Sequence, residues 1–247
     1  MKIVITLLTL KNKKIASTSE RSFGSRIEKA KKLKTFLEGF TNYQPATGEF
    51  SIQELIQAIS YAESLNPEVA KLLINYRQVV ATRREIYFKT PNSIKKLITP
   101  INAYNRGTFG KESATYRATN ALVIKIRGEK VKDDKAVDPK NHSISQQSYG
   151  SLLLNFQNLI NDLESLETLY DPANSTIKIS NLTTIKNQAE RANDNVSMAF
   201  ASLTPKQDQR LATFQLLSSK AQRIKDLVQS QYGIDSSEFK LIKGLKI

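Results

Sequence analysis

The residues of this 247-residue chain whose types and spacing could do chemistry are few, and each group lacks a required member. Gly110-Lys111-Glu112-Ser113 carries the Gly-Lys of a phosphate-binding loop, which would cradle a phosphoryl group on backbone amides. Such a loop needs Gly five residues before the Gly-Lys and a hydroxyl residue directly after the Lys. Asn105 and Glu112 occupy those places. There is one histidine, His142, and no cysteine, so a disulfide framework, a thiolate or histidine-rich metal site and a cysteine nucleophile are all excluded. Paired acid–base catalysis needs two carboxylates held in different environments. The adjacent Asp133-Asp134, and Glu164 with Glu167 one turn apart beside an apolar stripe, read as solvated surface. The chain is therefore expected not to be an enzyme and to hold no cofactor or metal.

Charge offers a second chemistry. The formal net charge is +14, and it is unevenly placed: residues 1–128 hold 22 basic and 9 acidic side chains, residues 129–247 hold 15 and 14. Residues 1–34 alone carry 10 basic and 2 acidic groups. Lys11, Lys13, Lys14, Arg21, Arg26, Lys29, Lys31, Lys32 and Lys34 are the candidate polyanion-binding residues, able to neutralise phosphates and release their counterions without reading bases. No helix-turn-helix, zinc-finger or RNA-binding signature accompanies them, and a charge run is commonly a solvated helix face.

These side chains must be held by helices. Only 9 Gly and 7 Pro are present, and Ala, Leu, Lys, Gln and Ser abound, a composition that favours helix. Ile27, Ala30, Leu33, Leu37 and Phe40 fall on one helical face that ends at Tyr43-Gln44-Pro45. Ser51 caps a helix carrying Ile52, Leu55, Ile56, Ile59 and Ala62. Leu152, Phe156, Leu159, Leu163, Leu166 and Tyr170 are spaced 4, 3, 4, 3, 4 and predict a helix of about five turns that stops at Tyr170-Asp171-Pro172. Ser180 is a candidate cap for the next helix. Asn66-Pro67, Thr90-Pro91 and Thr204-Pro205 read as cap and first-turn pairs opening further helices, with a kinked helix running through Pro67 as the alternative. The mixed-charge stretch 129–147 reads as a polar linker. The longest apolar run, Ile3 to Leu10, is far short of the roughly 20 residues that span a bilayer, and the expected location is cytoplasmic.

The two halves repeat each other. Ser22-Phe23-Gly24-Ser25 returns as Ser148-Tyr149-Gly150-Ser151, Tyr43-x-Pro45 as Tyr170-x-Pro172, and Phe109-Gly110-x-x-Ser113-x-x-Tyr116-Arg117 as Tyr232-Gly233-x-x-Ser236-x-x-Phe239-Lys240. The last pattern, followed by Lys243-Gly244, resembles the tail of a bacterial family of duplicated helical proteins of uncharacterised function, and that resemblance implies no activity. The expected fold is mainly all-α: a basic arm over 1–21, helical repeats at 22–128 and 148–247, each an antiparallel unit of three or four helices, and the linker between. Short extended segments are expected at Ala121–Arg127, Phe239–Ile247 and Ile3–Leu10. The expected function is a non-catalytic structural or protein-interaction module with a protein partner or self-association. The alternative is sequence-independent binding of nucleic acid or another polyanion by the basic N-terminal half.

Overall fold

Serines start many of these helices, because a serine hydroxyl accepts one of the N–H groups that the first helical turn leaves free. The computed structural model describes residues 22–128 and 147–247, of which 82% are helical with no strand among them. Ser22, Ser113, Ser148 and Ser236 accept from the amides of Ser25, Tyr116, Ser151 and Phe239, and so open α1 (Phe23–Gly39), α4 (Ala114–Arg127), α5 (Tyr149–Glu164) and α7 (Ser237–Ile242). Ser51 Oγ does the same for Glu54 N at the start of α2 (Ile52–Arg84). The remaining helices are α3 (Ile94–Phe109) and the long α6 (Ile179–Tyr232). The basic arm 1–21 with Ile3–Leu10, and linker residues 129–146 with Asp133, Asp134 and His142, lie outside the described residues.

Packing divides the described residues into one unit formed by residues 22–71 with 203–247, and a second formed by residues 72–128 with 147–202. In the first, Ile27, Ala30, Leu33 and Leu37 of α1 bury against Leu55, Ile59 and Ala62 of α2. Phe214, Leu217, Ala221, Ile224 and Val228 of α6, and Ile242 of α7, complete that core. In the second, α3 packs on α4 and α4 on α5. Its core joins Leu97, Ile98, Ile101 and Val123 to Leu152, Phe156, Leu159 and Leu163, with Leu182, Ile185 and Ala189 of α6. Each fully buried aliphatic or aromatic side chain contributes about 1.5–3 kcal/mol of transfer free energy, which outweighs weak local propensities.

That weight explains where the structure departs from the sequence expectations. At Asn66-Pro67 the alternative reading holds, since α2 runs through Pro67, whereas Thr204-Pro205 does not open a helix and α6 runs through Pro205. Proline removes one hydrogen bond and crowds the carbonyl four residues back. Here those carbonyls belong to the exposed residues Glu63 and Ala201, while Leu65, Val69 and Leu203 on the same helices are buried. Thr90-Pro91 does break the chain, but α3 begins only at Ile94. Thr90 is forced extended (ψ 156°) before the proline, after a π-helical turn at Glu85–Lys89. Ser180 is not a cap, because α6 already starts at Ile179. The helix predicted to reach Tyr170 ends at Glu164, and Glu167 takes φ 49°. The extended segments expected at the repeat ends are helical at Ala121–Arg127, which closes α4, and at Phe239–Ile242, which belongs to α7, while residues 243–247 leave the helix without forming a strand.

Contacts repeat with the sequence. Tyr43 Oη donates to Phe50 O at 3.0 Å, and its counterpart in the second half, Tyr170 Oη, donates to Ile177 O at 2.8 Å. Gln44 N donates to Gln231 Oε1 at 3.0 Å, and Asp171 N to Tyr104 Oη at 3.2 Å, the two donors lying at matching positions of the two halves. Arg210 lies 4.1 Å over the Phe23 ring, whose edge meets Phe214 at 4.7 Å. Arg83 lies 3.8 Å over Tyr149, which meets Tyr87 edge-on at 4.8 Å. In each pair one contact lies in the first unit and the other in the second. The sequence halves and the packed units are thus different divisions of the chain. The first unit takes the start of the first half and the end of the second; the second unit takes the end of the first half and the start of the second.

Candidate anion-binding surface

Five of the nine candidate cations lie on α1, and the helix does not present them as one free face. Arg26 is half-buried: its Nη2 donates to Phe214 O and Ser218 Oγ, both at 2.6 Å, and its guanidinium sits 5.0 Å from the Phe214 ring. Burial pushes its pKa down, as expected for a cation in the core edge without a carboxylate. Lys31 pairs with Glu63 at 2.7 Å and Glu28 at 3.7 Å, and Lys34 with Glu38 at 3.1 Å. Lys29 is half-buried and Lys32 exposed. Lys11, Lys13, Lys14 and Arg21 lie outside the described residues. Over residues 22–71 six basic side chains face six acidic ones, so this stretch is neutral.

The excess lies further on. Residues 72–128 hold 11 basic side chains against Glu85 and Glu112 alone. Glu112 is taken by Arg117 at 2.5 Å. The start of α3 meets the end of α4, and that junction gathers cations. Lys95 Nζ donates to Gln147 Oε1 at 2.7 Å and to Arg127 O at 3.4 Å, while Gln147 Nε2 donates to Lys125 O at 3.0 Å. Lys96 Nζ donates to Lys89 O at 2.7 Å. Lys89, Lys95, Lys96, Lys125 and Arg127 are thereby drawn together, and the free carbonyls at the α4 C-terminus give Lys95 a partial negative charge to face. Lys95 also lies 5.5 Å from the Phe88 ring. Over residues 72–128 as a whole, Arg77, Arg84, Lys89, Arg106, Lys111 and Lys125 are exposed with no side-chain ion pair or hydrogen bond among the described residues.

Gly128 makes the junction fit. It caps α4 in the left-handed region at φ 80°, and a Cβ there would stand 2.6 Å from the Gln147 carboxamide that ties Lys95 to the α4 carbonyls. Gly128→Ala is expected to cost about 1–2 kcal/mol from the backbone alone. Its Tm in thermal unfolding should fall accordingly; an unchanged Tm would show that Gln147 swings away freely and bridges nothing of consequence.

A count helix by helix, rather than over the N-terminal stretch 1–34, would have located this surface, since Glu85 and Glu112 are the only acids between Lys71 and Gly128. No group of three or more His, Cys, Asp or Glu side chains able to hold a metal occurs among the described residues. No helix among them is long and apolar enough to cross a membrane. A comparison with known protein families, with curated proteins and with solved structures finds no match to this chain.

Proposed function

We propose that this chain is a non-catalytic cytoplasmic module, built from two copies of one helical unit, that binds the phosphate backbone of nucleic acid without reading its sequence. The surface formed by the end of α2, the turn after it, α3 and α4 is the binding face. The observation that carries this reading is the excess of 11 basic over 2 acidic side chains in residues 72–128, with six exposed cations lacking side-chain partners among the described residues. A lysine or arginine already committed to a carboxylate must lose that partner to bind phosphate, whereas these six need only exchange water and counterions. The repeated Tyr43 and Tyr170 hydrogen bonds and the repeated Arg-over-aromatic contacts support the duplication. The arm lysines Lys11, Lys13 and Lys14 supply further charge in the sequence.

Titrating the full chain into labelled duplexes of two unrelated sequences tests the proposal. Equal affinities are expected, falling about 10³-fold between 50 and 200 mM salt if about six phosphates are contacted. In a Lys89→Gln/Lys96→Gln/Lys125→Gln variant each lost contact should flatten the slope of log K against log salt by about 0.9. Affinity that ignores salt refutes the reading. If Lys11→Gln/Lys13→Gln/Lys14→Gln removes binding and the helical variant does not, the face is wrongly assigned.

A further inference from the structure

The first unit holds a buried cation that forms no ion pair among the described residues. Lys225, on α6, is only 7% exposed, and its amine donates to the main-chain carbonyl of Leu245. Burial pushes its pKa down, opposed by the neighbouring Asp226. The Asp226 carboxylate is engaged by Gln222 Nε2 at 2.9 Å, one turn back on α6, and forms no ion pair with Lys225 among the described residues. Holding an ammonium away from water without a counter-charge costs several kcal/mol, so such a group is normally paired.

The amine lines a groove of about 590 Å³ between the end of α6 and residues 243–247. Ser218, Ser219, Gln222, Lys243, Lys246 and Ile247 line it as well, and no acidic side chain among the described residues does. Lys243 and Lys246 have no side-chain hydrogen bond or ion pair among the described residues. Ser218 is held at the head of the groove: its Oγ accepts from Arg26 Nη2 and lies 2.9 Å from Phe214 O and 2.6 Å from Ile247 O. Behind Ser218, outside the lining, Arg26 is a second half-buried cation, and among the described residues its guanidinium donates to a carbonyl and a hydroxyl. The groove is within the size range of small-molecule sites, with a few polar groups converging on an apolar floor that includes Ala221 and Leu245.

We infer that this groove is a binding site for a compact phosphate-bearing ligand, with Lys225 at its base and Lys243 and Lys246 closing over the anion from the rim. Three ammonium groups and the Ser219 hydroxyl match the several acceptor oxygens and the double negative charge of a phosphoryl group, where one carboxylate would leave donors unused. The site belongs to the first unit, shares no residue with the basic face of the second, and does not depend on nucleic-acid binding.

Thermal unfolding of the full chain tests it, with inorganic phosphate, citrate and chloride compared at matched ionic strength and pH 7. Phosphate is expected to raise Tm by several degrees over chloride, saturably, as linkage requires of a ligand that binds only the folded state. Citrate should give a smaller rise; a rise equal to that with phosphate would overturn the phosphoryl assignment. Lys225→Met, which keeps the stem and removes the charge, should abolish the rise. Lys243→Gln/Lys246→Gln alters only the rim, so its folding is not at stake, and it should weaken phosphate at least several-fold. No rise in the unaltered chain, or the full rise retained in either variant, overturns the proposal. The Lys89→Gln/Lys96→Gln/Lys125→Gln variant should keep the full rise, which separates this site from the basic face.

Discussion

Phe156→Ala is expected to lower the stability of the second unit by about 3–5 kcal/mol, the largest effect of any single truncation on α5. Phe156 is fully buried, and Leu152, Leu159, Ile160 and Leu163 surround it in the same cluster. Removing the ring forfeits its transfer free energy and leaves a cavity that these side chains can only partly refill. Phe214→Ala should do comparable damage to the first unit, because its ring is also fully buried and meets the Phe23 edge at 4.7 Å with Arg26 at 5.0 Å. An edge-to-face pair adds about 0.5–1.5 kcal/mol beyond area. Leu154→Ala is the control: on the same helix as Phe156 but 61% exposed, it should change stability by less than about 0.5 kcal/mol. Urea unfolding followed by circular dichroism measures all three. Equal losses for Leu154→Ala and Phe156→Ala would mean that α5 is rotated on its axis from the packing described.

Alkaline pH should unfold the protein through two matched phenols. Tyr43 and Tyr170 each donate a hydrogen bond to a carbonyl seven residues on, and burial raises both pKa values, Tyr43 to about 12 and Tyr170 further still. The raised values mean that the folded state holds these protons more tightly than the unfolded chain, whose phenols titrate near 10. The stabilisation is therefore complete below pH 10 and is lost as pH climbs through about 12. Burial raises the Tyr87 and Tyr232 pKa values in the same direction and adds to the loss. Phenolate absorbance and circular dichroism recorded together should show ionisation of these groups coinciding with loss of helix. In Tyr43→Phe/Tyr170→Phe the alkaline limb should shift to higher pH, although the carbonyls of Phe50 and Ile177 lose a donor and neutral-pH stability falls by about 1–3 kcal/mol for each. Ionisation of every tyrosine near pH 10 with the helix intact would refute the burial described.

Local signals in the sequence located most of the helical faces and several of their ends. Ile27, Ala30, Leu33 and Leu37 share the buried side of α1 as their spacing predicts, and the repeated Tyr-x-Pro pattern places two tyrosines, Tyr43 and Tyr170, that each hydrogen-bond to a carbonyl seven residues on. What failed were signals whose meaning tertiary packing decides. A Thr-Pro or Asn-Pro pair reads equally as a helix start or as a tolerated interior proline, and the burial of Leu65, Val69 and Leu203 on α2 and α6 selects the second. At Thr90-Pro91 no such continuity exists. Between Tyr87 and Phe109 the first half holds four residues more than the second half holds between Phe214 and Tyr232, and over that stretch of the second half α6 runs on without a break. The charges of the candidate site depend on packing in a similar way. A window of sequence counts Lys31 and Lys34 as free charge, while folding brings Lys31 to Glu63 on another helix and leaves the free cations between Arg77 and Lys125.

The way the two units share the chain also fixes an order of events. The second unit is a continuous segment that ends at Ser202, so during synthesis all of it has emerged before the first unit can close. Ile27 and Leu33 must wait for Phe214, Ile224 and finally Ile242 to emerge before their apolar face is covered. A longer loop adds little thermodynamic cost, since doubling its length costs only about 0.6 kcal/mol. The cost is time: a chain released from the ribosome before α7 carries a finished second unit and a first unit with part of its core still open to other chains.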